Sequence, residues 1–404
     1  MFRYLHIDVA RLSLITLCLM MAGCGGTSVS VTQLPTVTES VATSPTLEPG
    51  DLASNIDKIL SFLTEAESFT GAVLVARNGE VLLSRGYGLA DRDKNLPNTP
   101  QTKYRISSIT KQFTAMAILI LQARKKLKVQ DPVCRYIPDC PAAWQDITMH
   151  HLLTHTSGIP DFTDFPDYDT TRTAPSSPLQ TIARFKDQPL DFKPGEQWSY
   201  SNSDYILLGY IIEQASGQVY ETFLQQNIFE PTQMKNTGYD HNDASLATGY
   251  TGFYDHWEKA ADMDVSIPYS AAGLYSTTED LYRWDQVLDT EQVASQELLH
   301  LMFTPQVSTP AGNLSYGYGW FVGEMNHHLL VGHGDGFLSF VAARQSYTSN
   351  SGNGPQGHND IEGFAAEIRR YIDDKVTIIV LSNRDTTNVG TICDQIVQAV
   401  LGKQ

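Results

Sequence analysis

Positive charge is scarce in this chain. Its 404 residues carry 28 Lys and Arg against 45 Asp and Glu, a formal net charge of −17 at pH 7. That balance argues against nucleic acid and anionic membrane surfaces as partners. Long apolar runs are missing too. The run from Leu12 to Ala22 is too short for a stable membrane span. No repeat of solenoid length is visible. Residues 25–50 contain no Lys, Arg or aromatic residue and cannot supply a core, so they read as a flexible tether. What remains has an ordinary globular composition, long enough for one large core or two modest ones.

The N-terminus reads as a targeting segment. Arg3 and Arg11 precede the short apolar run, which ends in small residues before Cys24. Met21-Ala22-Gly23-Cys24 resembles the bacterial lipobox, which implies a signal peptide over 1–23 and lipid on Cys24. The expected organisation is then a tether over 24–50 and one domain over 51–404, exported and lipid-anchored to the bacterial cell envelope on its periplasmic or extracellular face. Export permits disulfides. Of the five cysteines, Cys18 and Cys24 belong to the signal. Cys134 and Cys140 flank a short loop and could be bridged or remain two thiols. Cys393 reads as a small buried hydrophobe.

The elements follow in a legible order. A helix is expected over about Leu52–Glu67. Strands are expected over Gly71–Ala76 and Glu80–Gly86, joined at Asn78-Gly79, a strong hairpin turn signal. A buried helix follows, apolar from Phe113 to Leu121. Residues 125–270 read as helices and loops. Strands return at Leu329–Val331, Phe337–Ala343, Ala365–Arg370 and Val376–Ser382, with a loop over 345–360. A helix over Val389–Leu401 closes the chain. Runs of this order predict an α+β fold: helices flanking an antiparallel sheet, with an inserted mostly helical region.

The chemistry starts at Ser108-Ile-Thr-Lys111, at the mouth of the buried helix. A Lys one turn after a Ser shares its face. Burial and the positive helix N-terminus both favour the neutral amine, which can take the hydroxyl proton and make Ser108 a nucleophile. The same helix start offers backbone N–H groups to an oxyanion. Tyr200-Ser-Asn202 lies on a loop at the mouth of a second helix, expected from near Ser203 to before Gly217. A phenol there is a candidate base or proton shuttle, and Asn202 can hold Lys111 and a substrate amide. In Val331-Gly-His333-Gly334-Asp335-Gly336, His333 is a candidate oxyanion or base partner. His151 and His155 are spaced i, i+4 as in zinc proteases, but Leu152 stands where the Glu would be. No metal or cofactor is expected.

Taken together, Ser-x-x-Lys, Tyr-x-Asn and His-x-Gly in that order resemble the penicillin-recognising serine hydrolases, nearest to the class C β-lactamase and esterase branch. Thr102–Ser108, Ile147–Pro160, Phe192–Gly209, Tyr316–Trp320 and Ile378–Asn383 carry further likeness, covering roughly residues 52–402. The resemblance implies a β-lactamase/transpeptidase-like sandwich with a groove beside a helical region. It implies Ser108 as acylated nucleophile, Lys111 and Tyr200 as proton-transfer pair, Asn202 as substrate and Lys111 contact, and His333 in the third motif. The oxyanion hole would be the backbone N–H groups of Ser108 and Gly336. Substrates would be small-molecule or peptide acyl donors: esters, peptides or β-lactams. A D-Ala-D-Ala carboxypeptidase, a β-lactamase and a non-catalytic penicillin sensor are the alternatives. The third motif departs from the pattern. Asp335 and Ser339 replace expected glycines, and the stretch over 345–360 reads as an insertion, which leaves His358 as a rival to His333. A His in place of the family's Lys is mostly neutral at pH 7, which tilts the expectation from β-lactams toward esters and amides.

Overall fold

The computed structural model describes residues 51–402 except 254, 326 and 349–360, with the side chains of 342–348 also left undescribed. The proposed signal peptide, Cys24, the tether and His358 lie outside the described residues.

The frame is one eight-stranded antiparallel sheet. We label its strands in chain order: β1 (Gly71–Arg77), β2 (Glu80–Tyr87), β3 (Val307–Ser308), β4 (Leu314–Tyr316), β5 (Phe321–Met325), β6 (His328–Gly334), β7 (Ala365–Tyr371) and β8 (Val376–Ser382). Their spatial order is β3-β4-β5-β6-β7-β8-β1-β2. β8 therefore lies between β7 and β1, with Val380 opposite Val73. The β1–β2 hairpin turns at Asn78 (φ 53°) and Gly79 (φ 78°), two successive left-handed residues as a tight hairpin requires.

Side-chain alternation divides the core. Along β8, Ile378 and Val380 face one cluster and Ile379 and Leu381 face the other. The first cluster is closed by helices α1 (Leu52–Glu65) and α5 (Val389–Leu401). The second is closed by the helical region, including α2 (Thr110–Ala123) and α3 (Asn202–Ser216). Every residue of α2 from Thr110 to Leu121 is buried, polar ones included. Apolar side chains all round a helix leave it no solvent face.

Two expectations are corrected. Phe337–Ala343 is helical, not a strand: it lies in α4 (Asp335–Thr348), which also takes the first residues of the loop expected over 345–360. The reason is topological. Both neighbours of β6 are taken, by β5 and by β7, so no free edge awaits another strand. The chain turns into a helix instead, and Phe337 stacks on Phe321 with centroids 5.3 Å apart. The second correction is smaller. α3 starts at Asn202, which therefore belongs to the helix rather than to the loop before it, and the Ser203 hydroxyl donates to Pro160 O at 2.7 Å and accepts from Phe162 N–H at 3.0 Å.

Candidate active site

The chain reaches Ser108 from a short strand, Tyr104–Arg105, paired with Leu274–Ser276. Ser107 then adopts a left-handed conformation, φ 45°. For a residue with a Cβ this is uncommon and costs of order 1–3 kcal/mol. It reverses direction within a single 3₁₀ turn, Ser107–Ile109, and leaves Ser108 at the head of α2. Gly319, φ 77°, lets the loop before β5 pass close to α2, where a Cβ would meet Lys111 O at 2.8 Å.

Lys111 is fully buried and its ammonium is surrounded by acceptors. Nζ donates to Ser108 Oγ at 2.9 Å, Asn202 Oδ1 at 2.8 Å and Ala271 O at 3.2 Å. The rings of Tyr200 and Tyr205 flank it, 4.7 and 5.5 Å from Nζ. Tyr200 OH donates to Ser108 Oγ at 2.7 Å. The Ser108 hydroxyl therefore touches both members of the expected proton-transfer pair. Asn202 is fixed from behind: its backbone N–H and Nδ2 both donate to Asp161 Oδ2, at 2.9 and 3.1 Å. That bond assigns the amide orientation and turns Oδ1 to Lys111.

The third motif is arranged differently. His333, at the end of β6, is fully buried, with Nε2 3.0 Å from Tyr316 OH and, among the described residues, no partner for Nδ1. Burial, and then the charge of Lys111, hold its pKa well below the ordinary imidazole range, so it is neutral at pH 7. The Asp335 carboxylate accepts from Ala366 N–H at 2.7 Å. Gly336 lies in the first turn of α4 beside the buried Glu367 carboxylate, and a Cβ there would meet Glu367 Oε2 at 2.0 Å.

The remaining candidates are dispersed. His151 and His155 do not share a helix face, because the helix Met149–Leu153 ends between them. His151 caps that helix, while His155 packs against Tyr200. Among the described residues, no group of three or more His, Cys, Asp or Glu is placed to hold a metal. Cys134 and Cys140 form a disulfide with Cα atoms 5.3 Å apart, and Cys393 is a buried free thiol.

The description Beta-lactamase belongs to the family whose model matches residues 56–400. The chain belongs to the Beta-lactamase family. Among its relatives in this family is a penicillin-binding protein of Bacillus subtilis (strain 168), 28% identical over 350 residues, which are 82% of this chain and 72% of that protein. Among solved structures, an octameric penicillin-binding protein homologue from Pyrococcus abyssi superposes with a TM-score of 0.71 at 27% identity, covering 89% of this chain and 78% of its own. A D-amino acid amidase from Ochrobactrum anthropi SV3 shares the fold, with a TM-score of 0.72 at 22% identity over 87% of this chain and 99% of its own. The β-lactamase-like fold expected from the sequence is the one observed.

Several contributors to this Beta-lactamase-family site escaped the sequence reading. Asp161 and Ala271 lie far in sequence from the residues they hold. Asp161 follows the Thr-Ser-Gly-Ile-Pro stretch and caps the turn Phe162–Asp164, a local signal that says nothing of Asn202. Tyr316, the partner of His333, was visible only as part of a likeness.

Proposed function

We propose that the protein is a serine hydrolase that forms an acyl-enzyme on Ser108 with ester, peptide or β-lactam-like acyl donors. The observation that carries this reading is the double contact at Ser108 Oγ: Lys111 Nζ at 2.9 Å and Tyr200 OH at 2.7 Å. Loss of one proton from the Lys111–Tyr200 pair turns one of these donors into an acceptor. Oγ gives its proton to that acceptor as it bonds to the acyl carbon. The pair returns a proton to the leaving alcohol or amine as the tetrahedral adduct collapses. Water then attacks the ester by the same route, its proton passing to the pair and on to Ser108 Oγ. Asn202 keeps Lys111 in line throughout. His333, buried and neutral, offers no charge to a substrate carboxylate, which favours ester and amide donors over strong β-lactam turnover. The amidase fold neighbour and the penicillin-binding relative are consistent with that range.

A second reading, a penicillin-binding sensor that acylates without turnover, is favoured by one feature. Asp335 stands where the family prefers a glycine, and its carboxylate, held by Ala366 N–H at 2.7 Å, puts a side chain at the edge of the third motif. The experiment that separates the two treats the 51–404 domain and its Ser108→Ala variant with fluorescent penicillin and p-nitrophenyl acetate, following label and product by intact mass. Ester turnover that vanishes in Ser108→Ala supports the hydrolase. Stable label without product supports the sensor. Equal activity in both proteins refutes Ser108 as nucleophile. We propose further that lipid on Cys24 holds the exported chain at a membrane. Cys24→Ala should then release it to the soluble fraction, and unchanged membrane association would refute the anchor.

A further inference from the structure

His155 has no part in the proton transfer just described, yet it makes three contacts with the Tyr200 loop. Its backbone carbonyl accepts from Ser199 N–H at 3.0 Å. Its ring Nδ1 accepts from Ser201 N–H at 3.2 Å. Its ring lies against the Tyr200 ring, centroids 4.4 Å apart. The residues on both sides of Tyr200 are thus pinned by the residue that also supports the phenol. Tyr200 precedes α3 and belongs to no helix or strand, so regular secondary structure does not fix it. Only half-buried itself, it leans on a neighbour that is fully buried.

His155 cannot yield. Behind its ring stand Tyr205 and Tyr316, at centroid distances of 5.1 and 4.9 Å, and Asp204 Oδ2 lies 3.3 Å from Nδ1. Asp204 is held in turn by the Ser157 hydroxyl at 2.5 Å. The His155 backbone is left-handed, φ 57°, a conformation that His and Asn adopt more readily than most residues with a Cβ. Burial, then Lys111 and His333, keep its imidazole neutral, so it adds no second cation beside Lys111. Burial also pushes the Asp204 carboxyl well above its usual range.

We infer that His155 is a positioning residue for Tyr200, holding the phenol at hydrogen-bond distance from Ser108 by fixing Ser199, Ser201 and the ring together. The inference rests on the proposed role of Tyr200 in proton transfer.

A double-mutant cycle tests it. His155→Phe keeps a ring and removes the Nδ1 acceptor. His155→Asn keeps an acceptor near Nδ1 and suits the left-handed backbone. Each is combined with Tyr200→Phe, and single-turnover acylation by p-nitrophenyl acetate is followed alongside the far-UV spectrum and thermal midpoint. A misplacement of about 1 Å at a reacting group can cost about 10²-fold. His155→Phe should therefore slow acylation roughly 10- to 100-fold with little change in apparent KM, and His155→Asn should lose less. In the Tyr200→Phe background either change should cost less than about twofold, because the group being positioned is gone. Should the Phe variant fail to fold, the Asn variant carries the cycle. Losses that multiply independently overturn the positioning role and leave that of Tyr200 standing. Undiminished acylation in Tyr200→Phe alone overturns the role of Tyr200.

Discussion

The two ends of the candidate site are wired to different things. Where α2 meets α3, the polar atoms are paired with one another around Ser108: Lys111 with Ser108, Asn202 and Ala271, and Tyr200 with Ser108. At the junction of β6 and α4, the polar side chains are paired with the scaffold: His333 with Tyr316 and Asp335 with Ala366. The first end is arranged for a reacting atom. The second has its polar side chains engaged elsewhere. Nucleophile activation and oxyanion stabilisation are therefore separable problems in this protein, and one can be complete while the other is not.

The largest expected effect breaks the reactive end. Lys111→Met should reduce Ser108 acylation by roughly 10³-fold or more, since nucleophile and base act as a unit. A cooperative melt should survive, because Met keeps the apolar volume and the acceptors that Lys111 leaves behind are neutral groups, with no unpaired charge among them. Acylation traces and thermal melts on one preparation would show whether activity and fold part company. Next, Asp161→Ala should free the Asn202 amide to rotate and slow acylation about 10- to 100-fold without displacing Ser108. Pre-steady-state bursts with p-nitrophenyl acetate measure this, and an unchanged burst rate would mean that the Asp161 bond does not orient Asn202.

The third prediction sharpens the contrast from the other side. Asp335→Gly removes the carboxylate from Ala366 N–H and restores flexibility where β6 turns into α4. Turnover should rise, by up to about 10-fold if one further donor reaches the oxyanion. Decay of the acyl-enzyme by intact mass is the readout; slower decay would mean that Asp335 supports the site rather than restraining it.

The smallest effect concerns pH. His155 and His333 both have imidazole pKa values well below their unfolded value of about 6.5. As pH falls past that value, the unfolded chain takes up protons that the folded one refuses, so stability declines. Asp204 acts in the opposite sense. Its raised pKa lets the folded state keep a proton that the unfolded chain has lost, a contribution present in acid that fades as pH rises through the folded value. The share of His333 is read as a difference: between pH 6.5 and 5.5 the thermal midpoint of the unaltered protein should fall relative to that of His333→Asn. Parallel slopes would show that His333 is not held neutral.

Much of this was legible in the chain. The hairpin at Asn78-Gly79 and the helix Val389–Leu401 are written in local chemistry and periodicity, and both lie where expected. Ser108, Lys111, Tyr200 and Asn202 carry spacings that survive in three dimensions because each sits at a helix mouth. Phe337–Ala343 was misread because Phe337, Leu338, Phe340 and Val341 fit a buried strand as well as a helix. Only the occupied edges of β6 decide between them. Asp161 was invisible for another reason: its importance lies in a contact with Asn202 across 41 positions.

The place of β8 in the sheet has a consequence for biosynthesis. β1 finds its second neighbour only when Val376–Ser382 has been made, about 300 residues later. At about 5–20 residues per second, that is roughly 15–60 s of translation. Throughout that time the sheet lacks its middle and the Val-rich β1 has one side unpaired. A ribosome-bound chain of this kind cannot close its core ahead of time, so it stays threadable until β8 emerges, and exposed to aggregation for as long.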